Sequence, residues 1–318
     1  MPRRTRLFID KLSFTLDVEE IHKASVIRAF EVEEFDRVVE RISNFSSGLL
    51  KQYQRAYKFA ITADHDVTFQ IEPRVERGRN SEHASVRRRF LRVEWNPSKS
   101  RSAGRESNQM LFALFERCLP SYSVERLLQT MNLTRIDLAF DVHGVSIDSL
   151  EVCASPLRKM NTRRTFEPDG RISSMEFGKP TSDRYLLVYN KTLERHLRTQ
   201  PISTAGRPYI ARRIPCTRFE LRLHDLGGID NLFTQSNPFE IFTVRSIGTI
   251  GLDASDHESA FFHDACLRRG PYAALSCITN RRTRTHYSLA VRESEPPPWW
   301  EPSSIWGELQ EAVVAALS

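Results

Sequence analysis

The sequence predicts an α+β protein with mainly antiparallel sheets and helices packed on one face. Alternating apolar and polar residues recur along the chain, as in LFIDKLSFTLDV at 7–18 and TRIDLAFDV at 134–142, and a period of two is typical of half-buried strands. Helical patterns separate these runs irregularly, unlike the strict alternation of a parallel α/β sheet. The two runs also resemble each other weakly, and each places an aspartate on a strand, so the pattern allows two related halves.

The elements follow in order from these patterns. We predict a strand at 7–18, a helix at 24–50, strands within 53–71 and at 91–95, a polar loop at 96–107, and helical segments at 108–131 broken at Pro120. Three domains are expected: a core at 1–230 with a pseudo-repeat (7–130 and 131–230), a helical and basic extension at 231–292, and a proline-rich linker with a terminal helix at 293–318.

Composition is that of a soluble globular protein: 318 residues, 40% hydrophobic and 27% charged. No apolar run approaches the roughly 20 residues of a membrane span, and the N-terminus has no signal-peptide core, so a cytoplasmic protein is expected. Of the 46 cationic residues 38 are arginine, whose guanidinium matches phosphate oxygens, which favours a polyanionic partner. Five widely spaced cysteines without a CxxC pair predict free thiols.

The stretch DRYLLVYNKTLE at 183–194 predicts a strand with Tyr185, Tyr189 and Lys191 on one face. A phenol beside a cation suits attack on a phosphodiester, because the cation stabilises the phenolate that forms. Tyrosine is also a favoured strand residue, so packing on a sheet is the alternative.

Two further strands have polar faces of the same kind. Aspartate is depleted in strands, so two of them on one strand indicate either a solvent-facing strand or a metal site. If the three strands are neighbours, carboxylates suited to Mg²⁺ or Mn²⁺ lie beside a tyrosine and several cations. The residues are Arg135, Asp137 and Asp141 on TRIDLAFDV, and Arg218, Glu220 and Arg222 on CTRFELRL.

The absence of several known catalytic motifs narrows the type of reaction. The sequence contains no His-hydrophobic-His pair, GxxxxGK[ST] loop, HExxH helix or GxSxG elbow.

The stretch between Arg74 and Arg92 is almost all charged and small residues, which indicates either a solvated loop or an arm that grips a DNA backbone through Arg87, Arg88 and Arg89.

Three motifs in order, TRIDLAFDV, EFGKPTSDRYLLVYNKTLE and TRFELRL, resemble the replication initiation factor (Rep_trans-type) family of rolling-circle plasmids and filamentous phages. The likeness covers residues 7 to 225, and Asn190 stands where the family often has aspartate. The resemblance implies a DNA-nicking, strand-transferring initiator in the cytoplasm of a bacterial host. It also implies Mg²⁺ or Mn²⁺ as cofactor, double- and single-stranded origin DNA as substrate, a host helicase and polymerase as partners, and a homodimer.

The resemblance also implies roles for individual residues. Tyr189 attacks one strand and stays joined to its 5′ phosphate, while the released 3′ hydroxyl primes synthesis. Asp137 and Glu220 bind the metal, with Asp141 as a third ligand. Lys191 lies close to the scissile phosphate. The other expected site residues are Arg135 and Tyr185 in the catalytic site, and Arg184, Arg218, Arg222, Arg87, Arg88 and Arg89 as DNA-binding residues.

Two other functions are consistent with the same residues. A conjugative relaxase uses the same chemistry at a transfer origin, and a non-catalytic regulator binds DNA on the same scaffold. Recognition of the origin sequence is expected outside the three strands, with the basic strings near Arg87 and Arg281 as candidates.

Overall fold

The fold of the protein, in a computed structural model, is α+β, as predicted. The structure describes residues 2–31, 39–42, 52–62, 65–74, 89–103, 105–120, 124–154, 161–168, 170–199, 213–251, 256–269 and 271–317. The chain divides into two compact units. Unit 1 comprises Met1–Leu7, Ala139–Arg222 and Ser236–Ala312, and unit 2 comprises Phe8–Leu138, Leu223–Gln235 and Val313–Ser318.

In chain order the strands are β1 Arg3–Arg4, β2 Phe8–Leu16, β3 Val39–Arg41, β4 Tyr53–Thr62, β5 His65–Pro73, β6 Leu91–Trp95, β7 Asn132–His143, β8 Leu150–Ala154, β9 Thr162–Phe166, β10 Ile172–Phe177, β11 Arg184–Asn190, β12 Cys216–Gly227 and β13 Phe242–Ser246. They are mainly antiparallel: β1 pairs in this way with β7, β2 with β6, β8 with β13, and each of β3 to β5 with the strand that follows it.

The helices in the described part of the molecule are mostly short. In chain order they are α1 Glu20–Ala29, α2 Pro97–Ala103, α3 Arg105–Cys118, α4 Val124–Thr130, α5 Lys191–Thr199, α6 Ile229–Thr234, α7 His257–Arg269, α8 Pro271–Ser276, α9 Arg281–Glu293, α10 Pro302–Gly307 and α11 Leu309–Leu317. None of the helices described is long and apolar enough to cross a membrane.

Unit 2 is a sheet in the order β3-β4-β5-β6-β2, continued by the first half of β7. Its helices pack on the sheet through aromatic side chains. Phe30, at the end of α1, stacks on Tyr57 of β4 at 4.8 Å between ring centroids, and Phe69 of β5 lies 5.5 Å from Phe115 of α3. These rings exclude water from one face of the sheet, which is the arrangement the sequence predicts for helices on one face.

Unit 1 contains the second half of β7, followed in order by β12, β11, β10 and β9, and a separate pair of strands, β8 and β13. The apolar face of β7 and β12 carries Phe140 and Phe219, whose rings stack at 5.1 Å. Trp300 packs on both of these rings, at 6.2 and 5.4 Å. Since Phe140 and Phe219 are fully buried, this face is the core of the unit, and the opposite face of the same strands is left for polar residues.

Two local predictions in the first half of the chain are wrong. The helix predicted at 24–50 ends at Ala29, and Val39–Arg41 is a strand because it pairs with 57–59 of β4. The polar loop predicted at 96–107 is helical instead: Asn96 accepts a hydrogen bond from Lys99 N as an N-cap, and Pro97 occupies the first turn.

The terminal segment also differs from a linker. Pro297 and Trp300 lie in the core of unit 1, so the segment predicted as a proline-rich linker is part of a compact unit. Glu308 accepts two hydrogen bonds from Arg4, at 2.6 and 3.0 Å, and one from the Leu7 backbone. Residues 4–7 are therefore joined to Glu308 within unit 1.

Candidate functional site

A polar face on three neighbouring strands of unit 1 forms the candidate site. The strands lie side by side in the order β7, β12, β11. The sequence-based prediction of the site requires these three strands to be neighbours, and they are. Because Phe140 and Phe219 occupy the apolar face, Asp141 of β7 and Arg218 and Glu220 of β12 face the other way. These three polar side chains are buried, at 4%, 8% and 8% exposure, so their charges must be satisfied within the protein.

Asp141 is held by two arginines. Arg218 donates from Nε to Oδ1 at 2.6 Å and from Nη2 to Oδ2 at 3.0 Å, a bidentate pair between neighbouring strands. Arg195 of α5 donates to Oδ2 at 3.3 Å, and its side chain is 51% exposed. The carboxylate therefore connects the sheet to α5, and a cationic side chain at its edge reaches solvent.

Tyr189 lies near the end of β11, where the strand meets α5. It is partly exposed, and the ammonium Nζ of Lys191 is 5.6 Å from its ring centroid. Lys191 is the first residue of α5, so its predicted position on the strand is wrong, although its position beside Tyr189 agrees with the prediction. It is buried at 8% exposure and pairs with Glu194 at 2.7 Å.

Asn190, the residue that departs from the family pattern, begins α5. Its Oδ1 accepts a hydrogen bond from the Leu193 backbone at 3.0 Å, which is the geometry of a helix N-cap. Asparagine and aspartate are about equally good N-caps. Asn190 therefore forms the turn that places Lys191 next to Tyr189 as well as an aspartate would.

Tyr185 is in a different environment from Tyr189, although both lie on β11. Burial and the neighbouring Glu176 carboxylate raise the pKa of Tyr185 to about 12, which the nearby Arg222 opposes. The Arg222 guanidinium lies 5.1 Å from the Tyr185 ring centroid. A raised pKa disfavours the phenolate that a nucleophile needs. Because Tyr185 is buried and Tyr189 is partly exposed, Tyr189 is also the more accessible of the two for covalent chemistry.

The turn before β11 has a strict steric requirement. Gly178 has φ +91°, and a Cβ there would lie 2.8 Å from the carbonyl oxygen of Arg184. Only glycine adopts this conformation at such a close approach without strain. The glycine that the sequence places after β10 therefore fixes the hairpin between β10 and β11.

The carboxylates predicted as metal ligands are all paired with arginines. Asp141 has Arg218 and Arg195 as partners, and the Glu220 carboxylate lies 3.5 Å from Arg222 Nη2. The oxygen donors suit a hard divalent ion, but an ion would compete with these guanidinium groups for the same lone pairs. In the arrangement observed, these residues do not fit a bound Mg²⁺ or Mn²⁺.

A second group of potential ligands lies at the same end of β7. Ligand atoms of Asp141, His143 and Cys216 all lie within 4.8 Å of one another. Burial and the Asp141 carboxylate raise the pKa of the Cys216 thiol to about 11, and a thiol binds metal as the thiolate. Because Asp141 is held by two arginines and a thiol is a soft ligand, this mixed set is also a poor match for a hard ion.

Asp137 and Arg135 lie on the part of β7 that belongs to unit 2. The Arg135 Nε donates to Asp137 Oδ1 at 2.7 Å, and its Nη2 donates to Oδ2. Asp137 is buried at 1% exposure. The two predicted site residues are thus a bidentate pair with each other, which satisfies the buried carboxylate.

The remaining arginines predicted to bind DNA are distributed differently. Arg184 lies five residues before Tyr189, about 17 Å along an extended strand and on its other face. Arg89 donates to the Thr130 carbonyl at the end of α4 in unit 2. Arg87 and Arg88 lie outside the described residues. The structure therefore does not bring Arg184 to Tyr189, and Arg89 makes its contact within unit 2.

Arg195 is the site residue that the sequence analysis missed. It stands four residues after Lys191 on α5, so both cations lie on one face of the helix. The spacing is present in KTLER at 191–195, but the pattern at 183–194 predicts a strand, in which residues four apart do not form a helix face. A partly exposed guanidinium tethered to a buried carboxylate is suited to bind a phosphate group.

Comparisons with known proteins leave the family open. No protein-family model and no curated protein sequence matches the chain. Among solved structures it is similar to a rolling circle replication initiator protein from Geobacillus stearothermophilus, with 14% identity, a TM-score of 0.40, and coverage of 80% of this chain and 90% of that chain. Interpretation of the site therefore depends on this protein's own residues.

Proposed function

We infer that the protein is a rolling-circle replication initiator that nicks and rejoins DNA at a replication origin through a covalent 5′-phosphotyrosine on Tyr189. The observation that carries this proposal is the position of Tyr189. It is partly exposed at the end of β11, with the Lys191 ammonium 5.6 Å from its ring. The motif resemblance supports the same assignment, because the tyrosine of Tyr-Asn-Lys is the nucleophile in the family that the chain resembles.

The proposed reaction is a transesterification. The Tyr189 oxygen attacks phosphorus and loses its proton, the bond from phosphorus to the 3′ oxygen breaks, and that oxygen takes up a proton. No water is consumed, and the new ester conserves the free energy of the broken bond, so the reverse attack by a 3′ hydroxyl rejoins the strand. Lys191 stabilises the negative charge that develops on the phenol oxygen.

Two arginines support this reaction. Arg195 presents a partly exposed guanidinium to a DNA phosphate, while Arg218 holds Asp141 and keeps α5 against the sheet. Arg218 is therefore a positioning residue, because its guanidinium is occupied by a buried carboxylate. The same pairing leaves Arg195 as the cation of this group that reaches solvent.

Dependence on Mg²⁺ or Mn²⁺ is part of the proposal on the strength of the family resemblance alone, and it requires the arginines paired with Asp141 and Glu220 to move away from these carboxylates. When bound, such an ion polarises a phosphoryl oxygen and stabilises the leaving oxygen. None of the steps above passes through an ion, since Asp141 and Glu220 are paired with arginines. The proposal also includes extension of the 3′ hydroxyl by a host polymerase, recruitment of a host helicase, and a homodimer.

The decisive experiment compares Tyr189→Phe with the matched variant Tyr185→Phe. Each protein is incubated with Mn²⁺ and the supercoiled replicon that carries its gene, and the covalently modified tyrosine is mapped by mass spectrometry. We expect Tyr189→Phe to abolish both nicking and the adduct while DNA binding persists, and Tyr185→Phe to retain both. An adduct that survives in Tyr189→Phe refutes the assignment.

A second candidate function is a non-catalytic DNA-binding regulator. The observation that favours it is the pairing of every predicted metal ligand with an arginine, as a site without an ion would require. It predicts salt-dependent DNA binding with no cleavage by the wild-type protein in either Mg²⁺ or Mn²⁺. A covalent adduct on Tyr189 rules it out.

A further inference from the structure

We propose that α7, α8 and α9 form a helix-turn-helix unit that binds duplex DNA, with α9 as the helix that enters the major groove. This inference goes beyond the nicking reaction, because it requires neither Tyr189 nor a metal ion. It assigns a binding role to a segment that follows the three motif strands in the sequence.

The three helices have a small core of their own within unit 1. Phe262 of α7 stacks on Tyr287 of α9 at 4.4 Å between ring centroids, and both are buried. Ala274 of α8 belongs to the same cluster, and Ile278 in the turn packs against it. A shared core of this kind holds consecutive helices in a defined arrangement, which a helix must have to present one face to DNA.

The connection between α8 and α9 has the length of a helix-turn-helix turn. α8 ends at Ser276 and α9 begins at Arg281, so four residues join them. Asn280 closes the turn as an N-cap, because its side chain accepts hydrogen bonds from the backbone of Arg282 at 2.9 Å and Thr283 at 3.2 Å. The direction of α9 is therefore fixed from its first residue.

The exposed face of α9 is strongly cationic in its N-terminal half. Arg281, Arg282 and Arg284 are exposed, and the first twelve residues of the helix contain no carboxylate. Within the residues that the structure describes, no ion pair involves these three arginines. In helix-turn-helix proteins the N-terminal residues of the second helix contact base edges, and arginine is the commonest reader of guanine in the major groove.

The dimensions of α9 suit this ligand. Its 13 residues span about 20 Å, and a helix about 10–12 Å in diameter enters a major groove about 12 Å wide. Tyr287 and Val291 anchor the helix in the core from its second turn onward, while Arg281, Arg282 and Arg284 are exposed at its N-terminal end. The cationic end is therefore free to face a nucleic acid without disturbing the packing.

The test compares Arg281→Gln/Arg282→Gln/Arg284→Gln with two matched single variants, Arg268→Gln and Arg292→Gln. Arg268 lies in the same unit but is already paired with Asp264 at 3.0 Å, and Arg292 is exposed at the far end of α9, about 12 Å from Arg284. Glutamine has a helix propensity close to that of arginine. Because the side chains replaced are exposed, the far-ultraviolet spectrum and thermal midpoint of each variant should match those of the wild type.

Binding is measured without divalent ions on two labelled probes, a duplex from the replicon that carries the gene and a short duplex of randomised sequence. We expect the triple variant to bind at least about tenfold more weakly, with the salt slope reduced by about 0.9 for each of the three arginines that contacts a phosphate rather than a base. Guanine N7 atoms, which face the major groove, should be protected from methylation by wild type and not by the triple variant.

Unchanged duplex binding by the triple variant overturns the proposal, and so does an equal loss in Arg268→Gln or Arg292→Gln. Cleavage of single-stranded DNA with Mn²⁺ is measured in parallel, and the triple variant should retain it. If the wild-type protein protects guanine N7 but does not cleave DNA, the nicking function is refuted and the helix-turn-helix proposal is not. The two proposals therefore fail separately.

Discussion

The bidentate pair between Arg218 and Asp141 gives a sharp stability prediction. Replacement of Arg218 by methionine leaves the Asp141 carboxylate buried at 4% exposure without its main partner. Removal of one member of a buried pair costs about 3–5 kcal/mol, because the remaining charge has lost its compensation. Arg195 still donates to Asp141 at 3.3 Å, so we expect a loss in the free energy of unfolding near the lower limit, about 3 kcal/mol.

Urea unfolding followed by circular dichroism measures this loss. With a slope of about 2 kcal/mol per molar urea, the midpoint of Arg218→Met should fall by about 1.5 M. Addition of Asp141→Asn to Arg218→Met should recover at least about 1 kcal/mol, because the buried charge disappears with its partner. The matched control Arg268→Met removes an exposed arginine paired with Asp264 and should cost no more than about 1 kcal/mol. A loss of under about 1 kcal/mol in Arg218→Met would contradict the buried bidentate pair.

Three further predictions concern the site. Lys191→Met should slow nicking by about 3-fold to 150-fold. A unit charge 5.6 Å from the Tyr189 ring centroid contributes about 0.7 kcal/mol at the dielectric constant of water and about 3 kcal/mol at an effective dielectric constant of 20. Single-turnover rates measure this effect, and the control Lys179→Met, at an exposed lysine, should leave the rate unchanged. Tyr185→Ala should lower the free energy of unfolding by about 3–5 kcal/mol, as for other buried aromatic residues, since Tyr185 is 5% exposed; urea unfolding measures this loss. Stability should also fall as pH rises from about 9 to about 11, because the Cys216 thiol, with a pKa raised to about 11, stays protonated in the folded protein while the unfolded thiol ionises. Urea midpoints at a series of pH values test this, and Cys216→Ser should flatten the decline.

Local pattern was sufficient for the strands that carry the site. The alternation on β7, β11 and β12 predicts which side chains share a face, and the structure agrees for Phe140 and Phe219 on one side and Asp141 and Arg218 on the other. Side chains alternate between the two faces of a strand, so their direction can be predicted without knowledge of the neighbouring strands. The fold class followed from the same information.

Local pattern failed where a distant partner decides the structure. Residues 39–41 have helical spacing but pair with β4, and Trp300, in a proline-rich stretch, is buried against Phe140 and Phe219. Pairing and burial of this kind join residues far apart in sequence, and tertiary context overrides local preference.

The sequence by itself therefore determined the α+β class, the polar faces of three strands, and the pairing of Tyr189 with a following lysine. Only the tertiary structure decided that the predicted metal carboxylates are occupied by arginines, that Arg195 reaches over Asp141, and that Tyr185 is buried while Tyr189 is partly exposed. The physical reason is that the charge state and reactivity of an ionisable side chain depend on charged groups from other strands and helices, and burial sets how strongly these groups interact. Residue types can be read from the sequence, whereas the chemistry available to them depends on the tertiary structure.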